Sequence, residues 1–267
     1  MSKIPNPVHN MPGDAPQLRD CLLLRAERLP LPDADAEMRR LQQLRLADVI
    51  CDALIFVEHP EIVTLGRRAQ VDNIAPPPGY ASFPLDRGGG ITWHGPGQLT
   101  IYPVFAWRGE PKLPGDRNIG RITDLLEEWI IRGLARLGVT ANRDNRMRGA
   151  WVGEHKIASI GLAFSRWVSR HGLTINYDTP PARVENLSCC GLADGTTTSI
   201  AAATGTRLRR TDLEATLLEE LAPVLGRKLI GRMQAKESGP SSGIHWEMEN
   251  ARQPSFGFEL NELLAGE

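Results

Sequence analysis

The stretch RGGGITWHGPGQ (87–98) sets five glycines and one proline around a single histidine and runs straight into LTIYPVF (99–105). The second segment is rich in β-branched and aromatic residues and reads as a strand. A dozen residues with so little side chain cannot fill a core, so their backbone must come close to something. A phosphate-binding loop would need Gly-Lys-Ser/Thr opening a helix, where free amides and the helix N-terminus meet the anion. Pro96 and a strand follow instead, which argues against that reading. A single structural turn seldom needs Gly88, Gly89, Gly90, Gly95 and Gly97 together. The remaining reading is a floor over which a ligand lies against main-chain groups, with Arg87 and His94 offering side-chain donors.

Working outward, residues 53–60 (ALIFVEHP) read as a strand ended by proline, and EIVTLG as a second strand closed by Gly66. Upstream, Met38, Leu41, Leu44, Val49 and Ile50 recur at helical spacing and predict an amphipathic helix over 34–50. Downstream, Asn118 caps a helix with the stripe Ile119, Ile122, Leu125, Leu126, Trp129, Ile130, Leu134 and Leu137, stopped at Gly138. AWVG, KIASIGLAF and HGLTINY then read as three antiparallel strands with short turns. Thr211-Asp-Leu-Glu214 has the pattern of a capping box and opens a last helix ending near Gly226. Segregated helices and hairpin strands predict an α+β fold. The domain organisation expected is a loosely ordered leader over 1–34, one main domain over 35–230 and a polar C-terminal extension over 231–267.

Composition narrows the classes. A net charge of −1, with 41% hydrophobic and 24% charged residues, fits a globular protein with no global field for nucleic acid or anionic membrane. Arg207, Arg209 and Arg210 read as a solvated face. No apolar run approaches the ~20 residues of a membrane span, and the first residues lack the apolar core of a secretory signal. The histidines and the four cysteines show no metal-ligand spacing. Cytoplasmic localisation is expected, with no metal and no cofactor.

Cys190, followed by Gly191, is a candidate nucleophile. A thiol near pKa 8.5 is only a few per cent thiolate at neutral pH, so it needs a nearby cation. Lys156, in the otherwise apolar strand KIASIGLAF, is a candidate, although spacing alone does not bring the two together.

RGGGITWHGPGQLTIYP, KIASIG, HGLTIN and CCG, in this order and spacing, resemble the lipoyl(octanoyl) transferases. DALIFVEHPEIVTLGRR is similar to that family's opening strands, and the likeness spans roughly 40–225. The resemblance implies a biotin/lipoate protein ligase-like catalytic fold, a mixed or antiparallel sheet flanked by helices. It implies transfer of an octanoyl group from octanoyl-acyl carrier protein to a lysine of lipoyl domains through a cysteine thioester. The acceptors implied are the lipoyl domains of 2-oxoacid dehydrogenase complexes and the glycine cleavage H protein, and a monomer is expected. Cys190 would be the nucleophile and Lys156 the residue that lowers its pKa. Arg87, Gly88, Gly89, Gly90, Ile91, Thr92, Trp93 and His94 would line the acyl pocket with Ser159, Ile160, Gly161, Gly172, Leu173 and Thr174. Cys189 stands where the family usually has proline, Thr174 where alanine is common, and Trp93 where tyrosine is typical. The alternatives are an ATP-dependent lipoate-protein ligase of the same fold and a non-catalytic acyl- or lipoyl-domain-binding protein.

Overall fold

The computed structural model describes residues 17–76, 78–109, 112–113, 115–185, 195–236 and 244–249. Along the chain come β1 (Arg19–Arg28), α1 (Leu31–Leu46), β2 (Asp52–Glu58), β3 (Ile62–Leu65), α2 (Arg67–Val71), β4 (Ser82–Pro84), β5 (Ile91–His94) and β6 (Gln98–Val104). Next come α3 (Ile119–Ala135), β7 (Gly149–Val152), β8 (His155–Ser165), β9 (Val168–Asn176), α4 (Ile200–Thr204), α5 (Arg210–Glu219), α6 (Leu221–Leu225), β10 (Arg227–Lys236) and β11 (His245–Met248). Among the described residues an eight-stranded sheet has the order β11-β10-β1-β2-β6-β9-β8-β7, and a small sheet the order β4-β3-β5.

β1 runs parallel to both β2 and β10, while β2–β6, β6–β9, β8–β9 and β7–β8 are antiparallel, so the large sheet is mixed. Every residue of β2, β6 and β9 is buried, as expected of central strands covered on both faces. The period of two divides the core. Leu23, Leu54, Phe56 and Ile101 pack with α3, α5 and α6, whereas Leu22, Leu24, Ile55 and Val57 pack against Met38 and Leu41 of α1. This is the α+β arrangement read from the sequence.

Several expected boundaries move. The expected leader holds β1, because the run Cys21 to Leu24 is buried on both faces between two strands. Residues 1–16 lie outside the described residues. The first helix spans 31–46 rather than 34–50. Asp48 adopts φ +56° just beyond it, and Val49, assigned to the apolar stripe, is exposed. Ile119 is also exposed, although Asn118 does cap α3 by accepting from the Arg121 amide at 3.0 Å. The Thr211–Glu214 capping box does not form. The helix already begins at Arg210, and Glu214 accepts from Arg25 and Arg210 instead. The expected single last helix divides at Glu220 into α5 and α6, with Gly226 in the left-handed conformation at the end. The expected C-terminal extension joins the sheet as the end of β10 and as β11, burying Met233 and Trp246.

Candidate functional site

The bare loop first meets the protein's own backbone. Residues 86–90 cross between the β3–α2 junction and β8. The Gly88 amide donates to the Leu162 carbonyl at 3.0 Å, and the amides of Arg67 and Arg68 donate to the carbonyls of Arg87 and Gly89. A methyl group on Gly66 would sit 2.4 Å from the Gly89 oxygen, and one on Gly161 2.9 Å from the Gly88 oxygen. Glycine on both flanking segments lets main chain lie on main chain.

Beneath this crossing lies a cavity of about 250 Å³, larger than the ~150 Å³ that suffices to hold benzene. Arg87 to Thr92 and His94 line one wall, and Ser159, Ile160 and Gly161 of β8 with Gly172, Leu173 and Thr174 of β9 line another. The strand ladder sets these opposite one another, with Ser159 facing Thr174, Ile160 facing Leu173 and Gly161 facing Gly172. Trp93 departs from expectation. Alternation along β5 turns its ring away from the cavity into a separate small core with Val63, Ala69 and Val184, where Nε1 donates to Glu61 at 3.0 Å. The wall also contains Arg68, Leu85, Thr100, Tyr102, Met147, Arg148 and His171, none singled out from the sequence. Thr100 and Tyr102 were legible in principle, since a period of two from Gln98 sends both to one face of β6.

Lys156 lies in the cavity wall, 4% exposed. Its Nζ donates to Ser159 Oγ at 2.9 Å and meets Met147 Sδ at 3.1 Å. Its main chain pairs with the segment beyond Cys190: the Lys156 amide donates to the Thr196 carbonyl at 2.8 Å and the Thr198 amide to the Lys156 carbonyl at 3.0 Å. The Gly195 amide donates to the Glu185 carbonyl at 2.8 Å. Cys189 and Cys190 themselves lie outside the described residues.

The polar side chains here are held in their neutral or paired forms. Burial lowers His59 to about 4, against the Leu29 carbonyl bonded to Nδ1. Burial, His59 and Arg87 hold His94 well below the usual imidazole value. Burial raises the Tyr102 phenol, whose hydroxyl donates to His59 Nε2 at 2.7 Å. On β9, burial lowers His171, against its hydrogen bond to Asp86. Asp86, despite partial burial, is held low by His171, Arg170 and Arg39. The wall combines apolar surface, buried neutral imidazoles and the amine of Lys156, an arrangement that can enclose an acyl chain and move a proton at one end. Among the described residues no group of three or more His, Cys, Asp or Glu side chains gathers as a metal centre would require, and no helix is long and apolar enough to cross a membrane.

Comparison with known proteins agrees with this geometry. Solved structures of similar fold include the bipartite lipoate protein ligase of an archaeal lipoylation system from Thermoplasma acidophilum (TM-score 0.54, 14% identity, 80% of this chain and 88% of that one). Another is lipoate-protein ligase A bound with ATP (TM-score 0.54, 14% identity, 78% and 88%). At such identity the likeness concerns the fold alone. Sequence relatives are nearer: the octanoyltransferase of Solibacter usitatus is 36% identical over 190 residues, 69% of this chain and 84% of that protein. The octanoyltransferase of Caldicellulosiruptor bescii is 36% identical over 198 residues, 71% and 85%. The lipoyl protein ligase A/B catalytic domain matches residues 35–222, a segment that contains the whole cavity wall, and the chain belongs to that family.

Proposed function

We propose that this chain is an octanoyltransferase of protein lipoylation, moving an octanoyl group from octanoyl-acyl carrier protein to a lysine of lipoyl domains by way of a thioester on Cys190. The observation that carries the reading is the pairing of Lys156 with residues 196–198. It tethers the chain six residues beyond Cys190 to the lysine's own backbone, within ~20 Å even if fully extended. The relatives' names supply the acyl group.

In the first half-reaction Lys156 takes the Cys190 proton and the thiolate sulfur attacks the thioester carbonyl carbon. The carbonyl electron pair moves to oxygen, where main-chain amides of the wall stabilise the oxyanion by typically ~3 kcal/mol each. The adduct collapses, the bond to the carrier sulfur breaks, and Lys156 returns the proton to the departing thiol. Lys156 is then neutral. In the second half the acceptor amine attacks the Cys190 thioester, an amide forms, Cys190 leaves as thiolate, and Lys156 receives the amine proton. The resting thiolate–ammonium pair is restored, and the two groups titrate together. One thioester is exchanged for another, then for a more stable amide, so neither ATP nor a cofactor is needed.

The acceptors are the lipoyl domains of 2-oxoacid dehydrogenase complexes and the glycine cleavage H protein, and the enzyme works as a cytoplasmic monomer. The test is the intact mass of the chain after mixing with octanoyl-acyl carrier protein without ATP, for wild type and Cys190→Ser. One octanoyl group, released by hydroxylamine or a lipoyl domain and missing or hydroxylamine-resistant in the variant, supports the thioester route. An adduct that requires ATP would transfer the reading to a lipoate ligase, the activity named for a solved structure of similar fold.

A further inference from the structure

One line of buried hydrogen bonds joins the glycine-loop wall of the cavity to the strand of Lys156. It turns on the amide of Gln98. Its Nε2 lies 2.8 Å from the Trp93 carbonyl, an atom that can only accept, so this end of the amide is the donor. The same nitrogen donates to Asn176 Oδ1 at 2.8 Å, and Asn176 Nδ2 donates to the Thr198 carbonyl at 3.2 Å. Gln98 Oε1 therefore faces His94 Nδ1, 2.9 Å away, and must be met by a proton. With the His94 proton on Nδ1, Nε2 carries the lone pair and accepts from Thr64 Oγ1 at 3.1 Å. Thr64 Oγ1 in turn accepts from Arg87 Nη2 at 2.7 Å. Every hydrogen points the same way, from Arg87 in one wall to Thr198, whose amide is bonded to the Lys156 carbonyl. All six members are buried, and bonds aligned in this sense reinforce one another.

We propose that Gln98 and Asn176 are positioning residues. They lock His94 in its neutral, Nδ1-protonated tautomer and, through Thr64, hold the Arg87 guanidinium in the cavity wall. Both nitrogens of His94 are consumed by protein partners, so the histidine gives the cavity neither a proton nor a lone pair. The base of the reaction is Lys156 alone. Gln98 and Asn176 face each other in the β6–β9 ladder, which places the two amides side by side and makes the strand register part of the site. The charged or titratable groups that face the His94 ring are His59 (5.6 Å between ring centres, edge-on), Arg87 and His171, and all three oppose a charge on it.

The tautomer is independent of any substrate, and only the activity arm of the test rests on the octanoyltransferase reading. Nitrogen NMR of the full chain with 15N-labelled histidine should give His94 as neutral with its proton on Nδ1 between pH 6 and 9. In Gln98→Glu a carboxylate replaces the accepting amide oxygen and draws a second proton onto the ring. Nε2 becomes a donor, and Thr64 must turn its hydroxyl to the Thr92 carbonyl, 3.3 Å away. Octanoyl transfer should then fall at least tenfold at pH 7 and recover as pH rises through the raised His94 pKa, an acid limb absent from wild type. Gln98→Met, which cannot supply that charge, should lose activity without the new limb. A wild-type His94 that is charged or protonated on Nε2 would overturn the proposal, and so would a folded Gln98→Glu whose pH profile parallels wild type. If wild type transfers no octanoyl group but shows the Nδ1 tautomer, the functional reading fails and the positioning role stands.

Discussion

Lys156 reaches the cavity from β8, the strand beside the β7 edge of the sheet, and its amine rests on Ser159 Oγ. Lys156→Met keeps the length of the side chain and removes the proton carrier. Single-turnover acylation should slow by ~10²–10⁴-fold, the usual contribution of general acid–base catalysis, with an unchanged thermal transition. Trp93 makes the opposite case. Its indole fills the small core beside the cavity, and Trp93→Phe removes the bond to Glu61, which still has Arg183. A loss of about 1–2 kcal/mol in denaturant unfolding is expected, from one hydrogen bond and a little volume. KM for the acyl donor should stay as it was; a raised KM would return Trp93 to the acyl pocket. Residue identity alone could not separate these two. Lys156 stood out because charge in an apolar strand is costly, but facing is invisible in a loop until the strand phase of β5 is known. Gln98 and Asn176 carry no signal in the sequence for the same reason, since a buried amide gains meaning only from its partner across the ladder.

At the scale of elements, the glycine loop is held by contact between backbones, and Gly161 is the point on β8 where it lies against the loop. Gly161→Ala puts a methyl group 2.9 Å from the Gly88 oxygen, so the loop must lift from β8. Stability should fall by about 1–3 kcal/mol, as for other overpacked sites. KM for the acyl donor should rise about tenfold in steady-state assays, because the cavity roof moves with the loop. The hairpin strands β7 to β9 and α3 with its Asn118 cap were legible, since period and capping are local properties. β1 was not. Cys21 to Leu24 is a short apolar run with no alternation, and its place in the sheet comes from β10, far along the chain. The false capping box at Thr211 failed because Glu214 finds stronger partners in two arginines than in a helix amide.

The molecule as a whole is closed by its last described strand. Trp246 of β11 is 2% exposed against α1, and its Nε1 donates to Glu37 at 3.0 Å. Trp246→Ala should cost about 3–5 kcal/mol, read as a lower denaturant midpoint. Acid should weaken the fold through its neutral imidazoles. His59, held to about 4, stays unprotonated where the unfolded chain already binds a proton. Stability is therefore full above the ordinary histidine range and is lost as pH falls from about 6.5 to about 4, by about 3 kcal/mol from this group. His59→Asn should flatten that part of the stability–pH curve. The parallel seat of β1 between β2 and β10 also sets a time order. On the ribosome β1 emerges well before β10 and can pair with β2 soon after, but its other edge stays open until β10 has been made. Until then the growing polypeptide presents an uncovered strand edge with the apolar run Leu22 to Leu24 inside it, a surface that invites aggregation. Yield at high expression rates should depend on the wait for β10 more than on the stability of the finished sheet.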